Sequence, residues 1–489
     1  MSILVVDVGT SGVRGAIVRP DATVEHIHHV PVLPDTPFAG LVEFDGTAIA
    51  SAVAEVAARS LAEGGPVAAV GIANQRASTL VWDRATGQPV GPGLGWQDLR
   101  TVGTCLELQA QGIRIAPNAS ATKLSAILDV ADPDRSRSER GELAFGTIDT
   151  WVAWILSEGV LHVTDASNAA VTGLVHGDGR GWSTSLLEAL RIPEAVLPSI
   201  VDSSGVLGTA SSLDGAPPIA GMAGDQQASL IGQSCTTAGQ AKATFGTGGM
   251  LDQCLGSARP PQAVRGPAGT IPIIAWRRGG IDTWGIEAIM LSAGTCVEWL
   301  RDDLRIIDDA AHSATVAGAC DDTGDVWFVP ALLGLGTPVW DFGARGTFTG
   351  LTRGSGRPEF VRAVLEGVAH RGADLLEAAE SDSGLPVGAL RVDGGMTANP
   401  VFTQAVADAC GRPVEVAPIL EATTLGAAFL AGMAMGTWAD EDDVAAAWIP
   451  RVEVLPTRSD ADRTAARARW LEARSRAEGA VPELSGIDF

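Results

Sequence analysis

Residues 218–227 read Pro-Ile-Ala-Gly-Met-Ala-Gly-Asp-Gln-Gln, an apolar run that ends in Gly-Asp and is followed by a helix-like segment. This order predicts a strand, then Asp225, then a helix. Because ligands bind outside the carboxyl ends of strands in open α/β sheets, Asp225 is expected to face a ligand. Asp also commonly caps helix N-termini, and in isolation the stretch favours that structural role. Glycine-rich turns elsewhere in the chain reverse this preference.

Two stretches about half a chain apart share one layout of strand, Gly-Thr turn and strand. The first turns at Gly9-Thr10-Ser11-Gly12 and the second at Gly246-Thr247-Gly248-Gly249. The layout is typical of β-hairpins, and its repetition predicts duplicated halves. The small polar stretch Ser234–Gln240 separates the two patterns. We therefore expect an N-terminal domain over residues 1–235 and a C-terminal domain over residues 236–489.

Helix and strand patterns alternate along the rest of the chain, which predicts an α/β architecture. The periodicity of the apolar residues distinguishes the two kinds of segment. The predicted segments are the helices Thr47–Leu61, Val361–Glu380 and Ser459–Glu478 and the strand Val67–Ile72.

The composition limits the partners. The 489 residues are 46% hydrophobic and 19% charged, with a formal net charge of −24, and this length predicts two or three domains. The negative charge argues against nucleic acid and anionic membranes as partners, since both favour positive surfaces. No apolar run reaches the ~20 residues that span a bilayer, and the first residues lack a signal-peptide pattern, so a cytoplasmic protein is expected. An anionic ligand must then be held by backbone N–H groups, helix N-termini or a metal ion.

Cysteine and histidine give no metal-site pattern. The six cysteines lack Cys-x-x-Cys spacing, which predicts reduced core residues. His26, His28 and His29 alternate along a strand-like stretch, and no acidic or Cys partner has ligand spacing. That arrangement favours a solvated strand edge over a metal centre.

The first glycine turn suits a phosphate group. Glycines let the backbone approach closely, and successive N–H groups can point at oxygens. Thr10 and Ser11 add hydroxyl donors, and Arg14 could balance the charge of a transferred phosphoryl group. Asp7, at the strand end, is a candidate Mg²⁺ ligand, directly or through water. Taken alone, the motif also fits a plain hairpin turn.

A third glycine pair, Gly394-Gly395, follows a strand-like stretch. Asn399 and Pro400 then predict the N-cap and first position of a helix. The two glycines leave room for a flat ring against the backbone. As an isolated motif, this is more typical of a strand–turn–helix connector.

Taken together, the glycine turns and Asp225 predict a function more specifically than any one of these motifs does alone. Two phosphate-type turns, one in each half, can face each other across a cleft, with a nucleotide ring on the second half. Asp225 could then accept a proton from a hydroxyl that attacks a phosphoryl group, a reaction that also requires metal and charge clamps. An NAD-linked dehydrogenase would need Gly-x-Gly-x-x-Gly opening a helix. The first turn opens a second strand instead, which excludes that hypothesis.

These motifs resemble the FGGY carbohydrate kinase family nearly end to end, and within it the glycerol kinases most closely. The first matching stretch is Asp7–Arg14, and within it Gly12-Val13-Arg14 is more similar to xylulokinases. The other matching stretches are Gly71–Arg76, Trp96–Asp98, Ser120–Leu124, Phe145–Trp151, Thr164–Ala169, Ala223–Gln233, Phe245–Gly248, Phe328–Ala331, Gly334–Trp340, Val392–Asn399 and Thr423–Ala428.

The resemblance implies two actin-like, ribonuclease-H-like domains that close over ATP, Mg²⁺ and a sugar or polyol, with Asp225 as general base. We expect Asp7 and Asp225 to be the Mg²⁺ ligands. The residues implied for ATP are Gly9, Thr10, Ser11, Arg14, Gly246, Thr247, Gly294, Gly395 and Asn399. Those expected around the acceptor are Arg76, Ala77, Trp96, Asn118, Asp225, Gln226 and Met250.

Three departures from the glycerol kinase pattern concern the acceptor. Ala77 replaces a Glu that grips glycerol hydroxyls, Asn118 replaces a Tyr, and Met250 replaces an aromatic residue. A site that has lost a hydrogen-bond partner rejects the ligand that needs it. Xylulokinases typically place Met-His where this chain has Arg76-Ala77, so that pattern does not match either.

We therefore expect an ATP-dependent kinase acting on a polyol or ketose somewhat longer than glycerol. Glycerol kinase proper and xylulokinase are the alternatives within the family. An actin-like nucleotide-binding regulator without kinase activity is the alternative from another class. A homodimer or homotetramer is retained as a hypothesis for the assembly.

Overall fold

The structure is a computed structural model that describes residues 1–262, 264–419 and 421–487. A 13-stranded sheet runs through it, in the order β21-β20-β19-β13-β14-β16-β15-β11-β12-β5-β1-β2-β3. The strands are β1 (Ile3–Gly9), β2 (Gly12–Val18), β3 (Val24–Pro31), β4 (Glu43–Phe44), β5 (Ala69–Asn74), β6 (Leu80–Asp83), β7 (Gly93–Leu94), β8 (Leu143–Gly146), β9 (Val163–Asp165), β10 (Ser199–Val201), β11 (Ser204–Thr209), β12 (Pro218–Gly224), β13 (Ala241–Phe245), β14 (Gly249–Gly256), β15 (Ile271–Arg278), β16 (Ile281–Met290), β17 (Trp327–Val329), β18 (Thr347–Thr349), β19 (Leu390–Asp393), β20 (Val414–Val416) and β21 (Val452–Val454).

Helices cover both faces of this sheet or connect its strands. Short 3₁₀ helices span Glu194–Val196 and Gly395–Ala398. The α-helices are α1 (Gly46–Gly64), α2 (Val102–Ala110), α3 (Ser120–Ala131), α4 (Ser136–Glu139), α5 (Ile148–Leu156), α6 (Ala166–Ala170), α7 (Thr184–Ala189), α8 (Asp225–Gly232), α9 (Gly294–Asp302), α10 (His312–Ala317), α11 (Arg357–Ser383), α12 (Pro400–Cys410), α13 (Ala422–Met435), α14 (Glu441–Ala446), α15 (Asp460–Ser475) and α16 (Pro482–Ser485).

The two halves of the chain repeat one strand pattern, as the duplicated hairpins predicted. In the first half, β1 pairs with β2 antiparallel, and β1, β5 and β12 are parallel neighbours. In the second, β13 pairs with β14 antiparallel, and β13, β19 and β20 are parallel neighbours. The predicted α/β class with two related halves is confirmed. The halves also join edge to edge, because Ser204 of β11 pairs with Arg278 of β15, and this continuity has no local signal in the sequence.

The helices α8 and α13 cross between the halves at very close range. A Cβ atom added to Gly426 would lie 1.7 Å from the carbonyl oxygen of Ala228, and one added to Gly232 would lie 1.8 Å from that of Ala422. Glycine is therefore required at both crossing points, since any side chain would overlap backbone. The first residue of α8 is Asp225, so this crossing fixes the position of that carboxylate.

Helix α13, from the second half of the chain, packs on the sheet of the first half. Gly71 of β5 and Gly221 of β12 allow this, because Cβ atoms there would lie 2.5 Å from backbone atoms of α13. The predicted division at residues 235 and 236 falls in the connector between α8 and β13. The two domain ranges stay a prediction.

The structure also shows the predicted helices and strand, the histidine cluster and the cysteines. The predicted helices correspond to α1, α11 and α15, and the predicted strand at Val67–Ile72 corresponds to β5. The histidine cluster lies on β3, the last strand of the sheet, as the solvated-edge interpretation requires. The six cysteines are free, and all but the half-buried Cys320 are buried. No helix in the described ranges is long and apolar enough to span a bilayer.

Substitution of Gly426 by Ala tests the helix crossing. The new methyl group would overlap the backbone of α8, and such overpacking costs about 3 kcal/mol at the upper end of its usual range. We expect the thermal unfolding midpoint to fall by roughly 5 °C, with a parallel loss of kcat because α8 carries Asp225.

The matched control is Gly103→Ala in α2, where an added Cβ meets no heavy atom within 4 Å. This variant should unfold like the wild type, since Ala is a better helix former than Gly. Equal midpoints for Gly426→Ala and the wild type would contradict the close crossing.

Candidate active site

Three parallel strands end side by side and bring three charged residues together. In the sheet, β1 and β12 flank β5, with Asp7 opposite Ala73 and Gly224 opposite Asn74. Asp7 therefore lies near the end of β1, while Arg76 and Asp225 follow the ends of β5 and β12. The carboxyl edge of the first-half sheet is the ligand-binding edge expected for such a fold.

Asp225 is not an N-cap. Helix α8 begins at Asp225 itself, the preceding Gly224 is the cap, and no side chain caps the helix. One carboxylate oxygen, Oδ1, accepts a hydrogen bond of 2.8 Å from the backbone N–H of Gln226 and lies 3.3 Å from Nε of Arg76. The side chain is 35% exposed, so one part of the carboxylate is accessible from outside the protein. The simple capping role that the isolated motif favoured is wrong.

The carboxyl groups of Asp225 and Asp7 both have pKa values above the ordinary value for Asp. Burial raises the pKa of Asp225, against the opposing effects of the Arg76 guanidinium and the Gln226 N–H group. Burial also raises the pKa of Asp7 to about 6, with Arg14 opposing and the charge of Asp225 adding to the shift. The two carboxylates therefore interact across the floor of the cleft.

Arg76 bridges the two halves of the chain. Its Nη2 lies 2.7 Å from Oε2 of Glu287 and 3.8 Å from Sδ of Met250, both in the second half. Burial lowers the pKa of Arg76, but Glu287 and Asp225 outweigh that effect and raise it. The guanidinium is thus a fixed positive charge shared between the two carboxylates.

Gln226 is also held from the second half. Its Oε1 accepts a hydrogen bond from Nζ of Lys242, and the same Nζ lies 2.7 Å from Oδ2 of Asp252. Burial raises the pKa of Asp252, with Lys242 opposing and Glu287 adding to the shift. The second half therefore supplies three buried charged residues, Lys242, Asp252 and Glu287. They lie against Arg76 and Gln226, two of the predicted acceptor residues.

Trp96 and Asn118, two of the predicted acceptor residues, are linked by the buried side chain of Lys123. Nε1 of Trp96 donates to Oγ1 of Thr10 over 3.3 Å. Nζ of Lys123 donates to the carbonyl oxygens of Trp96 and Asn118 over 3.2 and 2.9 Å. Burial lowers the pKa of Lys123 to about 8, partly offset by Asp98. The buried ammonium ties the two segments together beside the first glycine turn.

Ala77 has an unusual backbone conformation next to Arg76. Its φ is 61°, in the left-handed region that non-glycine residues rarely adopt. Its carbonyl oxygen accepts hydrogen bonds from Oγ of Ser120 and Oγ1 of Thr79 over 3.0 and 3.1 Å. Ala77 is 5% exposed, so a longer side chain there would have to extend into the cleft or repack its surroundings.

Both glycine turns leave space above their first residue. A Cβ at Gly9 or Gly246 would meet only one heavy atom within 4 Å, at 3.8 Å in each case. In the first turn, Arg14 lies 3.6 Å from Asp7 and is 36% exposed, so it can reach a ligand. Thr10 and Ser11 complete this turn between β1 and β2.

The second turn and the start of α9 form one unit. The N–H of Gly294 donates to the carbonyl oxygen of Gly246 over 2.8 Å, and the N–H of Thr295 donates to that of Thr247 over 3.2 Å. A Cβ at Gly294 would lie 2.6 Å from the same Gly246 oxygen. The structure thus brings Gly246, Thr247 and Gly294 together, and their role in ATP binding stays a prediction.

The third glycine pair follows β19, beside the end of β13. Gly394 has a φ of 93°, and a Cβ there would lie 2.4 Å from the carbonyl oxygen of Phe245, whereas a Cβ at Gly395 would meet nothing within 4 Å. Asn399 caps α12 as predicted, with Oδ1 accepting from the N–H of Val401 over 2.9 Å. Its Nδ2 donates to Oγ of Ser313 over 3.0 Å. Both polar atoms of the Asn399 side chain therefore form hydrogen bonds within the protein.

A hydrogen-bonded platform supports the ends of β5 and β12. Oγ of Ser167 accepts from the N–H of Gly224 over 3.0 Å, and the amides of Asn168 and Asn74 pair reciprocally over 2.9 and 3.0 Å. Buried Asp165 accepts from Ser167 and Asn168 in turn. The platform fixes the residues just before Arg76 and Asp225, and it lies in the stretch Thr164–Ala169 that the sequence singled out without a role.

The sequence analysis did not identify three charged residues that contact the site. They are Lys242, Asp252 and Glu287. Each stands in a strand where a charged residue normally indicates a solvent-facing position. Their pairing depends on which strands are neighbours, which no local pattern reveals. The available signal was a lysine and an aspartate in the two strands that flank the Gly-Thr-Gly turn, together with a glutamate in the later strand β16.

Comparisons with known proteins identify the family of the chain. Residues 2–232 match the N-terminal domain, and residues 241–435 the C-terminal domain, of the FGGY family of carbohydrate kinases. The chain is 40% identical to the glycerol kinase of Koribacter versatilis (strain Ellin345), covering 98% of both chains. It is 40% identical to glycerol kinase 2 of Thermotoga maritima, covering 98% of this chain and 99% of that protein.

Solved structures show the same fold. The glycerol kinase of Plasmodium falciparum, solved with ADP, superposes with a TM-score of 0.90 at 27% identity, covering 100% of this chain and 99% of that chain. The xylulose kinase of Lactobacillus acidophilus superposes with a TM-score of 0.86 at 21% identity, covering 99% of both chains. The predicted pair of actin-like domains is thereby confirmed. The chain belongs to the FGGY family of carbohydrate kinases and is a phosphotransferase with an alcohol group as acceptor.

Proposed function

We propose that this enzyme transfers the γ-phosphoryl group of ATP to a hydroxyl of a polyol or ketose longer than glycerol, with Asp225 as the general base. The observation that carries the proposal is the position of Asp225 on the cleft floor, 3.3 Å from Arg76 and beside Gln226. A base must lie within hydrogen-bond reach of the proton that it removes. The accessible part of this carboxylate, at the carboxyl edge of the sheet, supports that role.

In the reaction, a carboxylate oxygen of Asp225 accepts the proton of the acceptor hydroxyl. The hydroxyl oxygen forms a bond to the γ-phosphorus, the bond to the β–γ bridging oxygen breaks, and ADP leaves with that electron pair. Arg76 would bind acceptor oxygens and hold them in line, while Gln226 would add a further contact. Closure of the cleft would exclude water, so that the acceptor rather than solvent attacks.

The nucleotide would lie across the halves. The open glycine turns at Gly9–Ser11 and Gly246–Thr247 would hold the phosphates through backbone N–H groups. Arg14 would approach the transferred group. Gly294 and Gly395, with Asn399 nearby, would line the adenosine site, where the open space at Gly395 suits a flat ring.

Asp7 and Asp225 would hold Mg²⁺. Their buried, mutually repelling carboxylates are a donor set that a divalent cation stabilises. No group of three or more His, Cys, Asp or Glu residues is arranged as a metal site in the ranges that the structure describes. This fits Mg²⁺, which commonly uses one or two carboxylates together with phosphate oxygens and water. When bound, the ion would neutralise charge on the β- and γ-phosphates.

The acceptor wall supports a substrate longer than glycerol. Ala77 lacks a charged acceptor group for hydroxyls, and Asn118 and Met250 replace larger rings. Glycerol kinase proper is the competing proposal, favoured by the 40% identity to proteins of that name. Cytoplasmic location and a homodimeric or homotetrameric assembly stay predictions of the sequence.

Replacement of Asp225 by Asn tests the base. The amide cannot accept the proton, so kcat should fall by about a hundredfold or more while ATP binding persists. Turnover by a coupled ADP-release assay and ATP affinity by calorimetry measure the two effects. Asp214→Asn, at an exposed position, is the control and should match the wild type; a wild-type rate in Asp225→Asn would refute the assignment.

The pH dependence tests the environment of the base. Because burial raises the pKa of Asp225 above its ordinary value of 3.8, the carboxylate becomes protonated and inactive at a higher pH than an exposed Asp. We expect kcat/KM for the acceptor to fall with decreasing pH along a limb that lies clearly above pH 3.8. An acidic limb at or below that value would mean that the base is not desolvated.

An acceptor panel separates the two substrate proposals. Glycerol, tetritols, pentitols, xylulose and ribulose should be compared by kcat/KM in the ADP-release assay. We expect a four- or five-carbon acceptor to give the highest value, and Ala77→Glu to shift the preference toward glycerol. Glycerol as the best substrate of the wild type would establish glycerol kinase proper instead.

A further inference from the structure

Three charged residues form a row across adjacent strands of the second half. Lys242 of β13 lies opposite Asp252 of β14, and Asp252 lies opposite Glu287 of β16. The side chains of Lys242 and Asp252 are 0% exposed and that of Glu287 is 6% exposed. Burying three charges is costly unless each has a partner. The partners of these three residues therefore indicate the role of the row.

Both ends of the row contact side chains of the first half. At one end, Oε2 of Glu287 lies 2.7 Å from Nη2 of Arg76. At the other end, Nζ of Lys242 donates to Oε1 of Gln226 and lies 2.7 Å from Asp252. The two first-half partners are the residues proposed to contact the acceptor on either side of Asp225.

We propose that Glu287 and Lys242 are positioning residues that set the acceptor wall from across the cleft, Glu287 through Arg76 and Lys242 through Gln226. This inference rests on the proposed function, in which Arg76 and Gln226 bind the acceptor. Asp252 lies between them in the row and keeps Lys242 directed at Gln226. Acceptor affinity then depends on how the second half meets the first.

The geometry at Arg76 shows what Glu287 accomplishes. Nε of Arg76 lies 3.3 Å from Oδ1 of Asp225, while its Nη2 is directed at Glu287. Without Glu287, the guanidinium would be free to form the bidentate pair that Arg prefers with a carboxylate. That pair would occupy Asp225 and withdraw Arg76 from the acceptor.

The test is Glu287→Gln, which keeps the shape and removes the charge. With the acceptor that the wild type uses best, we expect the acceptor KM to rise by about tenfold or more while the ATP KM stays within about twofold. In an Arg76→Gln background, the same change should have little further effect, because Glu287 acts through Arg76. Thermal unfolding of each variant shows whether it is folded.

A second variant addresses the other end of the row. Lys242→Met combined with Asp252→Leu removes the ion pair without leaving one charge unpaired. It should also raise the acceptor KM selectively, and should add little in a Gln226→Ala background. The control is Glu415→Gln, which breaks the 3.1 Å Arg391–Glu415 pair in the same sheet and should leave both KM values unchanged.

The outcomes separate this inference from the proposed function. An unchanged acceptor KM in folded Glu287→Gln enzyme, or effects that add fully to those of Arg76→Gln, would overturn the positioning role while leaving the kinase proposal intact. Equal rises in both KM values, or the same losses in Glu415→Gln, would also overturn it, since general loosening would explain them. A wild-type enzyme that phosphorylates no acceptor would refute the proposed function and this inference with it.

Discussion

The structure depends on one constraint: three parallel strands, β12, β5 and β1, end at the same edge of the sheet and in register. That register places Asp7, Arg76 and Asp225 on one cleft floor. The platform of Ser167 and Asn168 fixes the last residues of β12 and β5 by hydrogen bonds. The crossing of α8 and α13, which only glycine permits, then holds the start of α8 against the second half.

Each of the two cations, Arg76 and Lys242, contacts two partners instead of forming one exclusive ion pair. Arg76 contacts Asp225 and Glu287 together, and Lys242 contacts Asp252 and Gln226. An exclusive ion pair at Asp225 would lower its affinity for a proton, whereas burial with a shared cation keeps the carboxylate basic. The same sharing crosses from one half to the other, because Arg76 contacts Glu287 and Gln226 contacts Lys242. If Arg76 and Gln226 bind the acceptor as proposed, closure of the two halves would also position the acceptor contacts.

Much of the fold was predictable because its signals are local. The two glycine hairpins, the strand before Asp225 and the Asn399 cap follow from short-range rules on turns and helix ends. The edge-to-edge pairing of Ser204 with Arg278 was not predictable, nor was the row of Lys242, Asp252 and Glu287, because each arises from contacts between strands distant in the chain. The stretch around Asp225 fitted a helix cap as well as a general base. The structure excludes the cap, because α8 begins at that residue, and the role as base stays a proposal.

A crystal structure with a non-hydrolysable ATP analogue and the preferred acceptor tests the central claim most directly. The account predicts one acceptor hydroxyl oxygen at about 2.6–3.2 Å from a carboxylate oxygen of Asp225 and in line with the γ-phosphorus. An acceptor bound with no hydroxyl in reach of Asp225, or with another side chain holding the attacking oxygen, would contradict it.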